Sequence, residues 1–402
     1  MQPQNQPLTG YLRKDGRKGI RNTLVIAYLV ECVHFVADEI AASFKGEPVH
    51  VIGFGGCYPN QHADKVMNAL CTHSNVGAVL LLSLGCESFS KTTLLKNIIA
   101  SGRPAGLITV QQAGGTRTSI EEGKAWVASA LSEIHFQPKV PMQMNELIIG
   151  TICGGSDATS GITANPSVGR AFDALASMGC AVLFEETGEM IGLEKHMSER
   201  ALSKELGAEL QKAVLKAAKY YTIMGHGSFA PGNADGGLST IEEKSMGAYS
   251  KSGSSPIAGL LKPGDRPPRG GLYLLDVVPD GEPRFGFPNI NDNAEISELM
   301  ACGCHIILFT TGRGSVVGSA ISPVIKICAN PETYQRMQED MDIDAGKILT
   351  EGATPDTIAL EIIDKIIDVA GGNPSCSEAL GHREFVLTYK SFEPAGPSCL
   401  PA

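Results

Sequence analysis

Aromatic residues are scarce in this sequence, 6% of the chain with a single tryptophan. That excludes the stacking platforms on which single-stranded nucleic acid is held. Positive charge is also short. Lys and Arg number 33 against 43 Asp and Glu, a formal net charge of −10, and no basic stripe interrupts it. Polyanions are therefore poor partners. No apolar run approaches the roughly 20 residues that span a bilayer, and the opening "MQPQNQPLTG" lacks the charged-then-apolar layout of a secretory signal. The expectation is a cytoplasmic protein that binds neither nucleic acid nor membrane. The CxxC spacing of a thiol metal motif is missing, and so is the GxGxxG turn of a dinucleotide site, so no nucleotide cofactor is expected.

What is present is a repeated pairing of apolar run and cysteine. "VHVIGFGGC" (49–57), "AVLLLSLGCE" (78–87) and "LIIGTICGG" (147–155) each end, through Gly or Thr, at a thiol. Continuous Val/Ile/Leu runs mark strands covered on both faces. They alternate with helical spacing at 33–44, 62–71, 90–102 and 119–134. The pattern predicts an α/β fold of two doubly wound, mostly parallel-sheet domains. The Pro-containing connector 135–145 sets the boundaries: a first domain over 1–140 and a second over 145–402. A long helix is expected over 198–221, and 225–293, rich in Gly, Pro and Ser, is expected as a loop-dominated functional stretch.

Ligands of open parallel sheets bind outside the carboxyl ends of the strands, where Cys57, Cys86 and Cys153 fall, with Glu87 beside the second. With 11 cysteines in a reducing compartment, metal binding and plain core packing are both open readings. Convergence of the three thiols and Glu87 between the domains would suit a soft metal. In "CGGSDATSGITANPSVGR" (153–170), Gly154 and Gly155 allow close approach to a ligand, and Ser156, Asp157, Asn165 and Arg170 offer polar contacts. The alternative there is a capped strand-to-helix turn. Arg117 in "GGTRT" and Arg313 in "TTGRGS" present forks for an anion. His226 and Lys244 are candidate bases. His305 precedes its strand and is expected to be structural.

The segments "GIRN", "SLGCE", "CGGSD…SGITANP…GR", "PGN…GG…T…EKS" and "LFTTGRG" resemble the altronate and galactarate dehydratase family, in consistent order from about Tyr11 to Phe385. The resemblance implies a lyase that eliminates a group β to the carboxylate of a 2-hydroxy acid, with iron as Fe(II) or as a cluster with an open iron. It places family motif positions on Cys57, Cys86, Cys153, Glu87, Glu186, Glu189, Asn233, Glu242, Lys244 and Asp344, besides those above, with Glu186 as a catalytic candidate that orients the substrate hydroxyl on the metal and Asn233 as a candidate substrate contact. Many members begin with a small domain that this chain lacks, which implies a separate small subunit and an oligomer of the pair. Where sugar-acid dehydratases carry "YGCSQ"- and "QQDDEIEAG"-like segments, this chain has "GGCYPNQ" and "QQAGGTRTSIEEG". Lost acids and a gained Arg117 imply an anionic leaving group, sulfite from 3-sulfolactate, over the water lost from a sugar acid. A sugar-acid dehydratase and a non-catalytic scaffold subunit are the alternatives.

Overall fold

The computed structural model describes residues 8–225, 231–281 and 291–390. The described chain opens with an antiparallel hairpin, β1 (Thr9–Leu12) and β2 (Lys18–Gly19). Next come four strands of one parallel sheet: β3 (Thr23–Tyr28), β4 (Val49–Gly53), β5 (Val76–Ser83) and β6 (Ala105–Thr109), in the order β4-β3-β5-β6. Every residue of β5 is buried, as its unbroken apolar run requires of a strand packed on both sides. Helices His34–Ala42 and Thr116–His135 cover one face through Val36, Ile40, Val127 and Ile134. Helices Gln61–Cys71 and Lys91–Ala100 cover the other through Val66, Leu70, Leu94 and Ile98. The first of these starts where the Asn60 side chain accepts from the Ala63 N–H at 2.8 Å, a conventional N-cap.

Strand β7 (Lys139–Pro141) returns to pair with β1, so the connector between the two halves is tied back to the hairpin. A second parallel sheet of seven strands follows. Its members are β8 (Ile148–Cys153), β9 (Ala181–Phe184), β10 (Ile257–Leu261), β11 (Gly271–Leu275), β12 (Ile306–Thr311), β13 (Val324–Cys328) and β14 (Ile343–Asp344), in the order β10-β11-β9-β8-β12-β13-β14. From β8 the chain proceeds to β9 on one side, while β12 leads to β13 on the other. The adjacent ends of β8 and β12 thus form a topological switch point, where ligand crevices of such sheets lie. The two sheets share one apolar core. Ile152, Leu183 and Phe309 of the second share a cluster with Val66, Met67 and Leu70 of helix Gln61–Cys71, which covers the first, and with Leu299 and Met300 of helix Asp292–Ala301.

The α/β class and the mostly parallel sheets are as the sequence predicts. Residues 225–293 are not loop alone. Among their described positions are helices Pro231–Asp235 and Ile241–Tyr249 and strands β10 and β11. "IAGLL" and "GLYLL" are five residues each, too short between Pro and Gly for periodicity to declare them. The long helix is two, Glu194–Glu199 and Lys204–Met224, because the Ser203 hydroxyl accepts from the Leu206 N–H and restarts it. Among the described residues no helix is long and apolar enough to cross a membrane.

Candidate active site

Strand β8 delivers Cys153, buried, to the switch point. Its neighbour β9 ends at Phe184, and the chain then turns sharply. Glu186 is the one non-glycine with positive φ among the described residues, at 69°, a conformation that costs roughly 1–3 kcal/mol and persists where its surroundings impose it. That turn aims the Glu186 carboxylate back at the end of β8. Oε2 accepts from the Cys153 N–H at 3.1 Å, and Oε1 lies 3.3 Å from Cys153 Sγ. The following turn of 3-10 helix, Thr187–Met190, brings Glu189 round to the same sulfur, Oε2 at 3.3 Å. One ligand atom each from Cys153, Glu186 and Glu189 lies within 4.8 Å of the others, all three residues buried.

Two lysines close the group. Lys244, on helix Ile241–Tyr249, holds Glu189 Oε1 at 2.5 Å. Lys251, from the short turn Ser250–Ser252, is fully buried with its ammonium on Glu186. Ser156 donates its hydroxyl to Cys153 Sγ at 3.4 Å. Burial, and after it the charges of Glu186 and Glu189, pushes the Cys153 thiol far above its usual value. Burial also lifts Glu186, to about 7, with Glu189 adding to it and Lys251 opposing. Burial alone would depress Lys244, but Glu189 first and then Cys153 more than reverse that, so its ammonium is firmly held.

The surroundings carry more acid than base. Glu185, Glu295 and Glu298 are buried and Asp292 is nearly so, beside Glu186 and Glu189, against Lys244, Lys251 and a buried Lys390 that pairs with Glu298 at 2.7 Å. Both carboxyl oxygens of Glu185 are buried and without a hydrogen-bond partner. Such an excess is costly unless a cation or protons offset it. Asp292 opens helix Asp292–Ala301 against the backbone of Gly154, where any Cβ would collide with its carboxylate. Burial, then the charge of Glu189, lifts its carboxyl to about 6. A cleft of about 330 Å³ begins at Ser156 and Lys244 and is lined further by Asp157, Asn165, Leu238 and Gly247.

The fold brings together Cys153, Glu186, Lys244, Gly154 and Ser156. Asp157 and Asn165 face the cleft with their polar atoms engaged. Asp157 Oδ1 accepts from the Thr159 N–H and hydroxyl at 2.9 and 2.6 Å, and Oδ2 from Asn330 Nδ2 at 3.0 Å. Asn165 donates to Gly247 O and accepts from the Thr310 hydroxyl. Gly155, at φ 62°, accepts from the Gly312 and Arg313 N–H groups, so the ends of β8 and β12 are stitched together. Arg313 is exposed and donates to Gly232 O at 2.5 Å, next to the buried Asn233. Arg170 sits on an exposed helix face, 3.4 Å from Asp356. Arg117 is exposed on the first turn of helix Thr116–His135. His226 lies outside the described residues.

The group of ligand atoms around Cys153 does not include the other two thiols. Cys57 and Cys86 are exposed, in adjacent loops of the first sheet joined by the Ser88 N–H on Cys57 O at 2.9 Å. Neither belongs to the group around Cys153. Glu87 also stands outside that group; its carboxylate accepts from the Ser83 hydroxyl and the Gly85 N–H and caps its own loop. Exposure sets them apart: Cys57 and Cys86 lie in solvent-facing loops, whereas Cys153 is buried. His305 is structural, as expected, with Nδ1 accepting from the Ile148 N–H at 3.0 Å. Sequence reasoning did not single out Lys251 or Asp292. Lys251 was legible only as a lysine seven residues after Lys244, two helical turns along the same face.

Two family models divide the chain. The second domain of D-galactarate dehydratase/altronate hydrolase matches residues 10–135, and the C-terminal domain of D-galactarate/altronate dehydratase matches 144–392. The (2R)-sulfolactate sulfo-lyase subunit beta of Chromohalobacter salexigens is 31% identical over 96% of this chain and 98% of its own length. The altronate dehydratase of Escherichia coli is 31% identical over 94% of this chain and 76% of its own. The galactarate dehydratase (L-threo-forming) of the same organism is 30% identical over 90% and 72%. The chain is an enzyme, a lyase, and it belongs to the D-galactarate/altronate dehydratase family.

Proposed function

We propose that this lyase eliminates the C3 substituent of a 2-hydroxy acid with the help of a divalent metal, and that its substrate is 3-sulfolactate, cleaved to pyruvate and sulfite. The observation that carries the metal is the buried set Cys153, Glu186 and Glu189, whose ligand atoms lie within 4.8 Å of one another amid excess carboxylate. One thiolate with two carboxylates suits a borderline ion of the Fe(II) class. A metal so held supplies Lewis acidity that makes the proton beside a carboxylate easier to remove.

The chain's own groups have separable parts in this reading. Lys244 and Lys251 hold Glu189 and Glu186 in place. Because Lys244 is kept protonated by Glu189, it is a poor base, and Asp292 takes that role. Its carboxyl, lifted to about 6, is matched to accepting a proton near neutral pH. The C2–H electron pair becomes the C2–C3 double bond, the C3–S pair leaves with sulfite, and the enol tautomerises to the 2-keto acid. The preference for sulfolactate is supported by the near-complete overlap with the sulfo-lyase subunit, whereas a quarter of the E. coli altronate dehydratase has no counterpart here. As the sulfo-lyase relative is named a subunit beta, a second subunit is the proposed partner, and the cytoplasm the proposed place of work.

The test is anaerobic metal analysis with a pyruvate-and-sulfite assay beside a sugar-acid panel, on the chain with and without its small subunit. Cys153→Ser is expected to lose most bound metal and more than 100-fold in turnover. Asp292→Asn is expected to keep the metal and lose turnover, as removal of a general base does. Unchanged metal and turnover in Cys153→Ser would remove the metal from the reading. Activity on sugar acids alone would replace the substrate and leave the mechanism standing.

A further inference from the structure

At the amino ends of β5, β6 and β12 lies a cluster of the other sign. It gathers Arg13 and Arg17 from the β1–β2 hairpin, His73 and Arg103 from just before β5 and β6, His305 from just before β12, and Arg266 from the β10–β11 connection. These side chains feel one another's charge, in a protein that is acidic overall. Asp15, the carboxylate they share, is bound to Arg17 at 2.8 Å. Glu146, nearby, is matched by Lys18 at 2.8 Å.

Most donors in the cluster are accounted for. Arg13 spends its fork on Ser74 O, Asn22 Oδ1, Gln137 Oε1 and Arg21 O, at 2.7 to 3.1 Å. Arg17 donates to Thr72 O at 2.7 Å. His305 has Nδ1 accepting from Ile148 N–H, so Nε2 carries the proton and meets Lys18 O at 2.9 Å. Two donors remain. Arg103 donates through Nε to Val76 O and through Nη2 to His73 O, at 2.9 and 2.7 Å, and its Nη1 has no partner. His73 accepts from the Asn75 N–H at Nδ1, 3.0 Å, so its proton sits on Nε2, which has none either. The two residues are 4% and 1% exposed and joined by the Arg103–His73 O bond. Buried donors without acceptors are rare because they forfeit water for nothing. A water molecule would satisfy a donor but not the surplus positive charge.

We propose that this junction binds a small inorganic anion, of the chloride or sulfate class, that accepts from Arg103 Nη1 and His73 Nε2. Three parts of the chain meet here: the hairpin, the first sheet and the second sheet. The anion is thus a pin between them, independent of the lyase chemistry at the other strand ends. The test uses the whole chain in chloride-free buffer at constant ionic strength, titrated with sulfate and separately with bromide while thermal unfolding is followed. A saturating rise in Tm of roughly 3 °C at a 100-fold excess over Kd is expected. Arg103→Met and His73→Phe abolish it, and bromide-soaked crystals show an anomalous peak at hydrogen-bond distance from Arg103 Nη1. A rise that does not saturate and is the same in both variants is a general salt effect and overturns the proposal, as does an empty position in the bromide map. If either variant does not fold, the bromide map of the parent chain decides.

Discussion

Lys251 is the residue on which the charge balance of the site turns. It is fully buried, and its ammonium faces Glu186, which is itself crowded by Glu185 and Glu189. Removing one member of a buried pair costs more than the pair contributes, because the survivor keeps its desolvation penalty. Lys251→Met is therefore expected to lower the metal-free stability by about 3 kcal/mol. A divalent ion replaces part of the lost positive charge, so the deficit is expected to shrink in excess metal. Urea unfolding of both proteins, with and without metal, checks this; equal deficits in the two conditions would mean that metal and lysine do not share Glu186. The αL turn at Glu186 makes the same argument from the backbone: strain is tolerated there because Cys153 N–H, Cys153 Sγ and Lys251 all fix the carboxylate.

Elements reach this geometry through contacts that leave little trace in the sequence. Helix Ala164–Ser177 packs on the turn Ser250–Ser252 at Gly169, where any Cβ would run into the Ser250 carbonyl. Gly169→Ala is expected to push away the turn that carries Lys251, with a stability loss of about 1–3 kcal/mol and a larger proportional loss in turnover. Thermal melts and activity measured on the same sample check it; a stable variant with full turnover would show that the turn tolerates displacement. The strands themselves were legible, because β3, β5, β8 and β12 are unbroken apolar runs and the cysteines do sit at or just beyond strand ends. Which of those ends are buried together was not legible, since Cys57 and Cys86 belong to a sheet whose loops face solvent. Nor were β10 and β11, five residues each, or the approach of Asp292 to Gly154, which depends on a contact 138 positions apart in the numbering. Periodicity reads which face of an element is covered, not what covers it.

At the scale of the whole molecule, the two sheets meet through neutral histidines as well as through the apolar core. His50 of β4 bonds through Nδ1 to Ala320 O, and Nε2 of His305, before β12, lies 3.1 Å from the Ser74 hydroxyl before β5. Within its own sheet, Nδ1 of His305 accepts from the Ile148 N–H and Nδ1 of His73 from the Asn75 N–H. A proton on Nδ1 of His305 or His73 would set N–H against N–H. Burial pushes His50 and His305 down to about 4 and His73 well down also. In the unfolded chain each titrates near 6.5. Between about 6.5 and 4 the unfolded state therefore binds more protons than the fold, and stability falls as pH falls, by about 1.4 kcal/mol per pH unit for each histidine. Glu185 and Glu295, lifted by burial, work the other way, because the fold holds their protons above the pH at which the unfolded chain releases them. The histidine contribution is thus read by difference. Between pH 6 and 4.5, the urea-derived stability of His305→Gln is expected to fall less steeply than that of the parent, by about 1.4 kcal/mol per pH unit. Parallel curves would show that His305 takes up its proton without leaving the junction, and that acid does not part the two sheets there.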